Sequence, residues 1–228
     1  MGESEKYAFR IDGINPNSTH GKILMQVPPK SVVLEFGSAS GYMTKYMTQH
    51  LNCLVDIVEI DKHCFERAKA FCRFGVNGDI DGAEWYEMLA EQKYDRILFA
   101  DVLEHLKDPW RALFLAGRLL KDDGKIVFSI PNICHNDIII KMIYNYFTYT
   151  DIGLLDDTHL HFFGLNDIPE LLETAKLSKD FKIDCIMYPT QTTEQKMDME
   201  IDPEVLAVIK RRGCIGDVYQ WIVTCHKP

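Results

Sequence analysis

Residues 32–41 read Val32-Val33-Leu34-Glu35-Phe36-Gly37-Ser38-Ala39-Ser40-Gly41. An apolar run meets an acidic residue, then small residues with glycines at Gly37 and Gly41. Eighteen residues beyond Gly41, a second apolar run, Leu54-Val55-Asp56-Ile57-Val58, ends at Glu59. Glycines let the backbone come close to a ligand. A carboxylate at the tip of the next strand can accept both hydroxyls of a ribose. Together the two segments describe a nucleoside pocket.

Working outward, strand-like runs at 31–36, 54–59, 96–100 and 125–130 alternate with helical spacing at 42–51, 62–74, 84–91 and from Pro109 to Leu120. In the second helix the apolar positions are Phe65, Ala68, Phe71 and Cys72. Pro109 suits a first helical turn, where its missing N–H costs nothing. Lys121-Asp122-Asp123-Gly124 reads as a turn. The alternation predicts an α/β fold: a doubly wound, Rossmann-like, mostly parallel seven-stranded sheet with helices on both faces. Ligands of such sheets sit at the carboxyl ends of the strands. Glu35–Gly41, Glu59, Asp79, Asp101–His105 and Pro131–Asn132 all fall at those ends. Further on, the pattern predicts a helix over 136–149, a loop with two histidines over 156–164 and a helix over 166–177 capped by Asn166 or Asp167. Closing strands at 181–188 and 217–226 flank a helix near 203–212. The expected organisation is one domain over 1–228, with a cofactor core at 18–132, an acceptor lid at 133–180 and closing strands at 181–228.

The 228 residues suit one domain, and 46% apolar content suits a packed globule. A formal charge of −9 argues against a broad surface for nucleic-acid backbones. Lys210-Arg211-Arg212 is a cationic cluster that reads as a solvated helix end. Seven scattered cysteines without a C-x-x-C pair fit free thiols in a reducing compartment. The first twenty residues are polar, with no apolar signal core. Lys6 stands where a myristoylation motif wants Ser or Thr. No apolar run approaches membrane-spanning length. The expectation is a cytoplasmic protein without membrane insertion, and no sequence feature sets an oligomeric state.

A dinucleotide fingerprint wants G-x-G-x-x-G. Here those positions hold Gly37, Ala39 and Tyr42, and a tyrosine is hard to fit beneath a pyrophosphate, so a cofactor lacking one fits better. The chain resembles the class I S-adenosylmethionine-dependent methyltransferases. Glu35-Phe-Gly37-Ser-Ala39-Ser-Gly41 is similar to their acidic glycine loop, with Ala39 for the middle glycine. Val58-Glu59-Ile60-Asp61 resembles the ribose-binding strand end, and Gly78-Asp79-Ile80 the adenine-side segment. Phe99-Ala100-Asp101-Val102-Leu103-Glu104-His105-Leu106 with Asp108-Pro109-Trp110 resembles the fourth motif. Leu119–Gly124 and Ser129-Ile130-Pro131-Asn132 resemble the fifth strand and its entry. His159-Leu-His161-Phe-Phe163 resembles a segment of the bacterial branch, whose members include small-molecule O-methyltransferases. The resemblance implies that Gly37, Ser38, Ala39 and Gly41 frame the methionine moiety and that Glu35 reaches the cofactor ammonium. It also implies that Glu59, Ile60 and Asp61 hold the ribose side, that Gly78, Asp79 and Ile80 hold the adenine, and that Asp101 and Val102 complete the rim.

Methyl transfer is an in-line displacement, and alignment alone can supply roughly 7–11 kcal/mol. A hydroxyl acceptor must also lose a proton, which calls for a base or a metal. His105 is the candidate base, with Asp101 beside it; the alternative is that His105 only packs against the next helix. Asp101-x-x-Glu104-His105 also resembles the E-x-x-E-H metal site of ubiquinone-pathway and small-RNA O-methyltransferases, which suggests Mg²⁺, Mn²⁺ or Zn²⁺ on Asp101, Glu104 and His105, with His159 or His161 as a further ligand. Tyr144, Tyr146, Phe147, Tyr149, Phe162 and Phe163 are candidates to line an acceptor pocket or simply to pack the lid. Asn132 and His135 are candidates to touch acceptor or cofactor. The leading expectation is O-methylation of a small hydroxylated acceptor (a sugar, a glycan precursor or a phenol). A non-catalytic S-adenosylmethionine-binding module, a nicotinamide-dependent oxidoreductase and an RNA methyltransferase are the competing readings.

Overall fold

The computed structural model describes residues 15–228. The stretch read above for a signal core and a lipidation motif lies mostly before them. A short helix α1 (Thr19–Leu24) precedes β1 (Val32–Phe36), α2 (Tyr42–Gln49), β2 (Leu54–Glu59), α3 (Lys62–Ala68), β3 (Phe74–Asn77) and α4 (Glu84–Leu89). Then come β4 (Tyr94–Phe99), a 3₁₀ turn (Leu103–His105), α5 (Pro109–Arg118), β5 (Leu120–Pro131) and α6 (Asn136–Ile143). The chain closes with a 3₁₀ turn (Leu165–Asp167), α7 (Ile168–Thr174), β6 (Lys182–Met187), α8 (Pro203–Lys210), a last 3₁₀ turn (Gly213–Asp217) and β7 (Val218–Cys225).

The seven strands form one sheet in the order β3-β2-β1-β4-β5-β7-β6. β1 to β5 are mutually parallel, and β7 runs antiparallel between β5 and β6. The expected doubly wound sheet is therefore present. The order reverses at β1, whose neighbours are β2 and β4, and a ligand crevice belongs at that switch point. Alternation along each strand splits the core. Leu34, Phe36, Ile97, Phe99 and Trp221 bury against α4, α5 and α7, whereas Val33, Val55, Ile57 and Ile222 bury against α1, α2 and α3. Glu35 thus shares the α2 face of β1 with Val33.

Several boundaries differ from the sequence pattern. The helix expected over 62–74 ends at Ala68, and Phe74 opens β3 instead. Gly75 explains the strand: a Cβ there would lie 2.8 Å from the Phe65 ring and 3.2 Å from Ile57, so α3 packs directly over bare backbone. The turn expected at 121–124 is an irregularity inside β5, where the register jumps from Tyr94↔Leu120 to Arg96↔Lys125. The helix expected over 136–149 stops at Ile143, because Asn145 adopts a left-handed conformation, φ 62°. The helix over 166–177 begins as a 3₁₀ turn, and Asp167 reaches back to the Gly164 N–H (2.6 Å). Among the described residues no helix is long and apolar enough to cross a membrane.

Candidate functional site

The rim of the sheet begins where β1 ends. Gly37 and Gly41 have φ of 67° and 80°, and Ala39 between them also lies in the left-handed region, φ 47°. A Cβ on Gly37 would stand 2.6 Å from Val102 Cγ2, and one on Gly41 would stand 2.6 Å from the Cα of Ala68. The glycines thus seat the loop against the turn after β4 on one side and the end of α3 on the other. Ala39 fills the middle position because its N–H is taken by Glu59 Oε2 at 2.8 Å, while Glu59 Oε1 takes the N–H of Asp61 at 2.9 Å. Glu59 therefore clamps the loop to its own strand end, with lone pairs to spare on each oxygen. Burial raises its pKa. The Ser38 hydroxyl is buried without a hydrogen-bond partner, an open polar demand in the loop that a bound polar ligand can meet.

Glu35 is buried and accepts a hydrogen bond from Thr44 Oγ1 at 2.6 Å. Burial pushes its carboxyl up to about 8, against the lowering effect of Thr44 and with a further push from Glu59. Its full charge thus awaits a nearby cation. Ile60 is 64% exposed at the rim, while Asp61 caps α3 through the Cys64 N–H at 2.7 Å. The cap engages Oδ1 of Asp61, and the side chain is exposed at the rim. Asp79 is exposed and turns the chain by accepting from Asp81 N–H (2.9 Å). Ile80 behind it is buried, with its carbonyl held by Trp85 Nε1 at 2.9 Å. Gly78 continues the rim, its N–H on the Glu59 carbonyl (3.0 Å). Asp81 joins this segment to the one after β4, accepting from the N–H groups of Lys107 and Asp108 at 2.9 and 3.0 Å.

At the end of β4, Asp101 is left-handed, φ 55°. Its N–H donates to Ser129 Oγ (2.9 Å), and Oδ1 accepts from Ser129 Oγ (2.6 Å) and from Gln220 Nε2. The next turn brings a second group together. Suitable ligand atoms of Glu104, His105 and His159 lie within 4.8 Å of one another. Asp101 is not in this group, so the three-residue set expected from the sequence changes: His159 stands where Asp101 was expected. His161 turns away, with Nε2 3.2 Å from the Lys107 carbonyl and its ring edge-on to Trp110. The loop is pinned because the N–H groups of Leu160 and His161 both donate to the Glu104 carbonyl, at 2.8 and 3.1 Å. Both carboxylate oxygens of Glu104 are buried and have no hydrogen-bond partner among the described residues, and burial, reinforced by Asp101, raises its pKa well above the ordinary range. Burial and the neighbouring His105 lower His159 to about 4. The Thr158 hydroxyl donates to Asp156 Oδ1 (2.6 Å) and so can only accept from His105 Nδ1 (3.0 Å). That assignment leaves the lone pair of His105 on Nε2.

Asn132 and His135, expected as possible ligand contacts, are structural. Asn132 Nδ2 donates to the Val218 carbonyl (2.7 Å) and its Oδ1 accepts from Cys134 N–H (3.1 Å). His135 is fully buried as the cap of α6, its Nε2 2.9 Å from the Tyr188 carbonyl. Tyr144 accepts from the Asp202 N–H at 2.8 Å, a strut between the end of α6 and the start of α8. Phe147, Tyr149 and Phe162 form a ring cluster that reaches His159. Thr44, Asp81 and Gln220 carried no motif in the sequence; Ser129 stood in the fifth-strand motif but with no role assigned to its hydroxyl.

A glycine loop, a clamped carboxylate on the next strand and a reversing parallel sheet define a nucleoside-binding α/β enzyme. The chain belongs to a methyltransferase-domain family, whose model matches residues 18–179. It is an S-adenosylmethionine-dependent methyltransferase. A methyltransferase of this class from Archaeoglobus fulgidus superposes with a TM-score of 0.60 at 19% identity, covering 86% of this chain and 85% of that one. A possible histamine N-methyltransferase from Thermotoga maritima gives 0.59 at 15% identity, over 92% and 88%. The N-methyltransferase NodS from Bradyrhizobium japonicum, solved with S-adenosylhomocysteine, gives 0.55 at 14% identity, over 93% and 85%. At such identities the likeness shows the fold and leaves the acceptor open. Among curated proteins, none matches this sequence.

Proposed function

We propose that this methyltransferase O-methylates a small hydroxylated molecule (a sugar, a glycan precursor or a phenol). The observation that carries this reading is the gathering of Glu104, His105 and His159 within 4.8 Å at the end of β4. An amine acceptor needs no such assembly once it is neutral, whereas a hydroxyl must give up a proton as it attacks. In the reaction the acceptor oxygen bonds to the methyl carbon, the carbon–sulfur bond breaks, and the sulfonium becomes a neutral thioether. The hydroxyl proton passes to His105 Nε2. Gly37–Gly41 would cradle the cofactor, Glu59 would hold its ribose and Glu35 its ammonium, and the segment 133–180 would cover the acceptor.

Two imidazoles and a carboxylate are also a donor set for a divalent cation such as Zn²⁺ or Mn²⁺. The unpartnered Glu104 oxygens fit such a guest. A cation there would lower the pKa of an acceptor hydroxyl. The test is incubation with methyl-labelled S-adenosylmethionine and a panel of phenols, catechols, nucleotide sugars and amines, with and without chelator. Label on oxygen, lost in His105→Ala, is expected. Label confined to amines or carbon acids would refute the reading.

A further inference from the structure

Asp101 is strained by its left-handed backbone, φ 55°, and such a conformation persists only where neighbours over-determine it. Ser129 does so from β5, accepting from the Asp101 N–H and donating to Oδ1. The third hold comes from the far side of the sheet order. Gln220, on β7, donates through Nε2 to the same Oδ1, while its Oε1 accepts from Thr19 Oγ1 on α1. Both ends of this amide are thus spoken for, and the residue is only 5% exposed. Alternation on β7 sends Trp221 into the α5 side of the core and leaves Gln220 on the face of α1 and α2.

The relay Thr19–Gln220–Asp101 meets the glycine loop. Val102, next to Asp101, is the side chain that a Cβ on Gly37 would strike. Tyr42, the first residue of α2, and His20 of α1 pack edge-to-face, ring centroids 5.0 Å apart, and the charge of Asp101 acts on both. With Oδ1 held by two donors, no hydrogen bond among the described residues reaches Oδ2.

We propose that Gln220 is a positioning residue for cofactor binding: it fixes the Asp101 carboxylate so that Oδ2 faces the rim, and Thr19 in turn holds the Gln220 amide to that task. This rests on the reading of Asp101 as a cofactor contact. Its signature is energetic coupling between residues 119 positions apart.

Calorimetric titration with S-adenosylhomocysteine tests it without any knowledge of the acceptor. Asp101→Ala and Gln220→Met are each expected to weaken binding about tenfold, and Thr19→Val about threefold, the size of a lost hydrogen bond to a charged group or its neighbour. The double variant Asp101→Ala/Gln220→Met is expected to bind within about twofold of Asp101→Ala alone, because Gln220 acts only through that carboxylate. A merely structural glutamine would give additive losses and a matching drop in the urea midpoint of the ligand-free protein. Additive losses, or full affinity in Gln220→Met, overturn the inference. Should Gln220→Met fail to fold, Thr19→Val decides: full affinity there overturns it equally. If Asp101→Ala itself binds normally, Asp101 is no cofactor contact and both ideas fall. If Asp101→Ala is weak while Gln220→Met is normal, only the role of Gln220 falls.

Discussion

Glu35 lets the link between stability and function be measured. Its carboxyl is buried, and burial pushes it up to about 8 against an ordinary 4.5. Below pH 4.5 the group is protonated in both folded and unfolded chains. Between 4.5 and 8 the unfolded chain has released the proton and the folded chain still holds it. Stability that is fully present at acid pH is therefore lost as pH rises toward 8. At about 1.36 kcal/mol per pKa unit, the loss between pH 5 and pH 7 is on the order of 2–3 kcal/mol. Glu35→Gln removes the titration while keeping an oxygen for Thr44. Urea unfolding of the ligand-free wild type and variant at pH 5 and pH 7 checks this, since other titrating groups cancel in the difference. The variant is expected to lie close to the wild type at pH 5 and to exceed it by roughly 2–3 kcal/mol at pH 7, a midpoint shift on the order of 1 M urea. The same variant is expected to lose affinity for S-adenosylhomocysteine, because the strained charge is what the cofactor ammonium would relieve. Parallel stabilities at both pH values would refute the account of Glu35.

Gly41→Ala combines a φ of 80° with a Cβ 2.6 Å from the Ala68 backbone, so it should cost about 2–4 kcal/mol in urea unfolding. Gly213→Ala, at φ 62° with nothing within 4 Å, should cost only about 1 kcal/mol, and equal losses would sink the clash argument. Glu59→Ala should weaken S-adenosylhomocysteine binding at least tenfold in calorimetry, because it loses the ribose acceptor and releases the Ala39 turn together. Asp137→Ala should cost about 3 kcal/mol and speed amide exchange over 191–195, since the buried carboxylate takes the N–H groups of both Gln191 and Thr193; unchanged exchange there would contradict that role.

β1, β2 and β4 were legible because each is a short apolar run ended by a glycine or an acid, and each such end became part of the rim. The elements that misread were those where tertiary packing overrode local spacing. Phe71 and Cys72 kept a helical period, but the chain had to dive under Phe65 through Gly75 to pair with β2. Asn145 ended α6 by backbone conformation, which apolar spacing does not record. At the site, the glycine loop, Glu59 and the His105 turn were readable as motifs. His159 could be named only as one of two histidines, since which ring faces Glu104 depends on how the loop is pinned to the Glu104 carbonyl. Gln220 was invisible, because its partners Asp101 and Thr19 lie 119 and 201 positions away in the chain. His135 misled for the opposite reason: a histidine beyond a strand tip looks chemical until its backbone partners are seen.

Above all, the cofactor is expected to rest on the rim made by Gly37–Gly41 and Glu59. Crystals grown with S-adenosylhomocysteine measure it most directly. The account predicts the ribose hydroxyls on the Glu59 carboxylate, the amino acid end over Gly37 beside Glu35, and the adenine between Ile60 and Ile80. A nucleoside found elsewhere on the molecule, or a rim left vacant at saturating ligand, would contradict it.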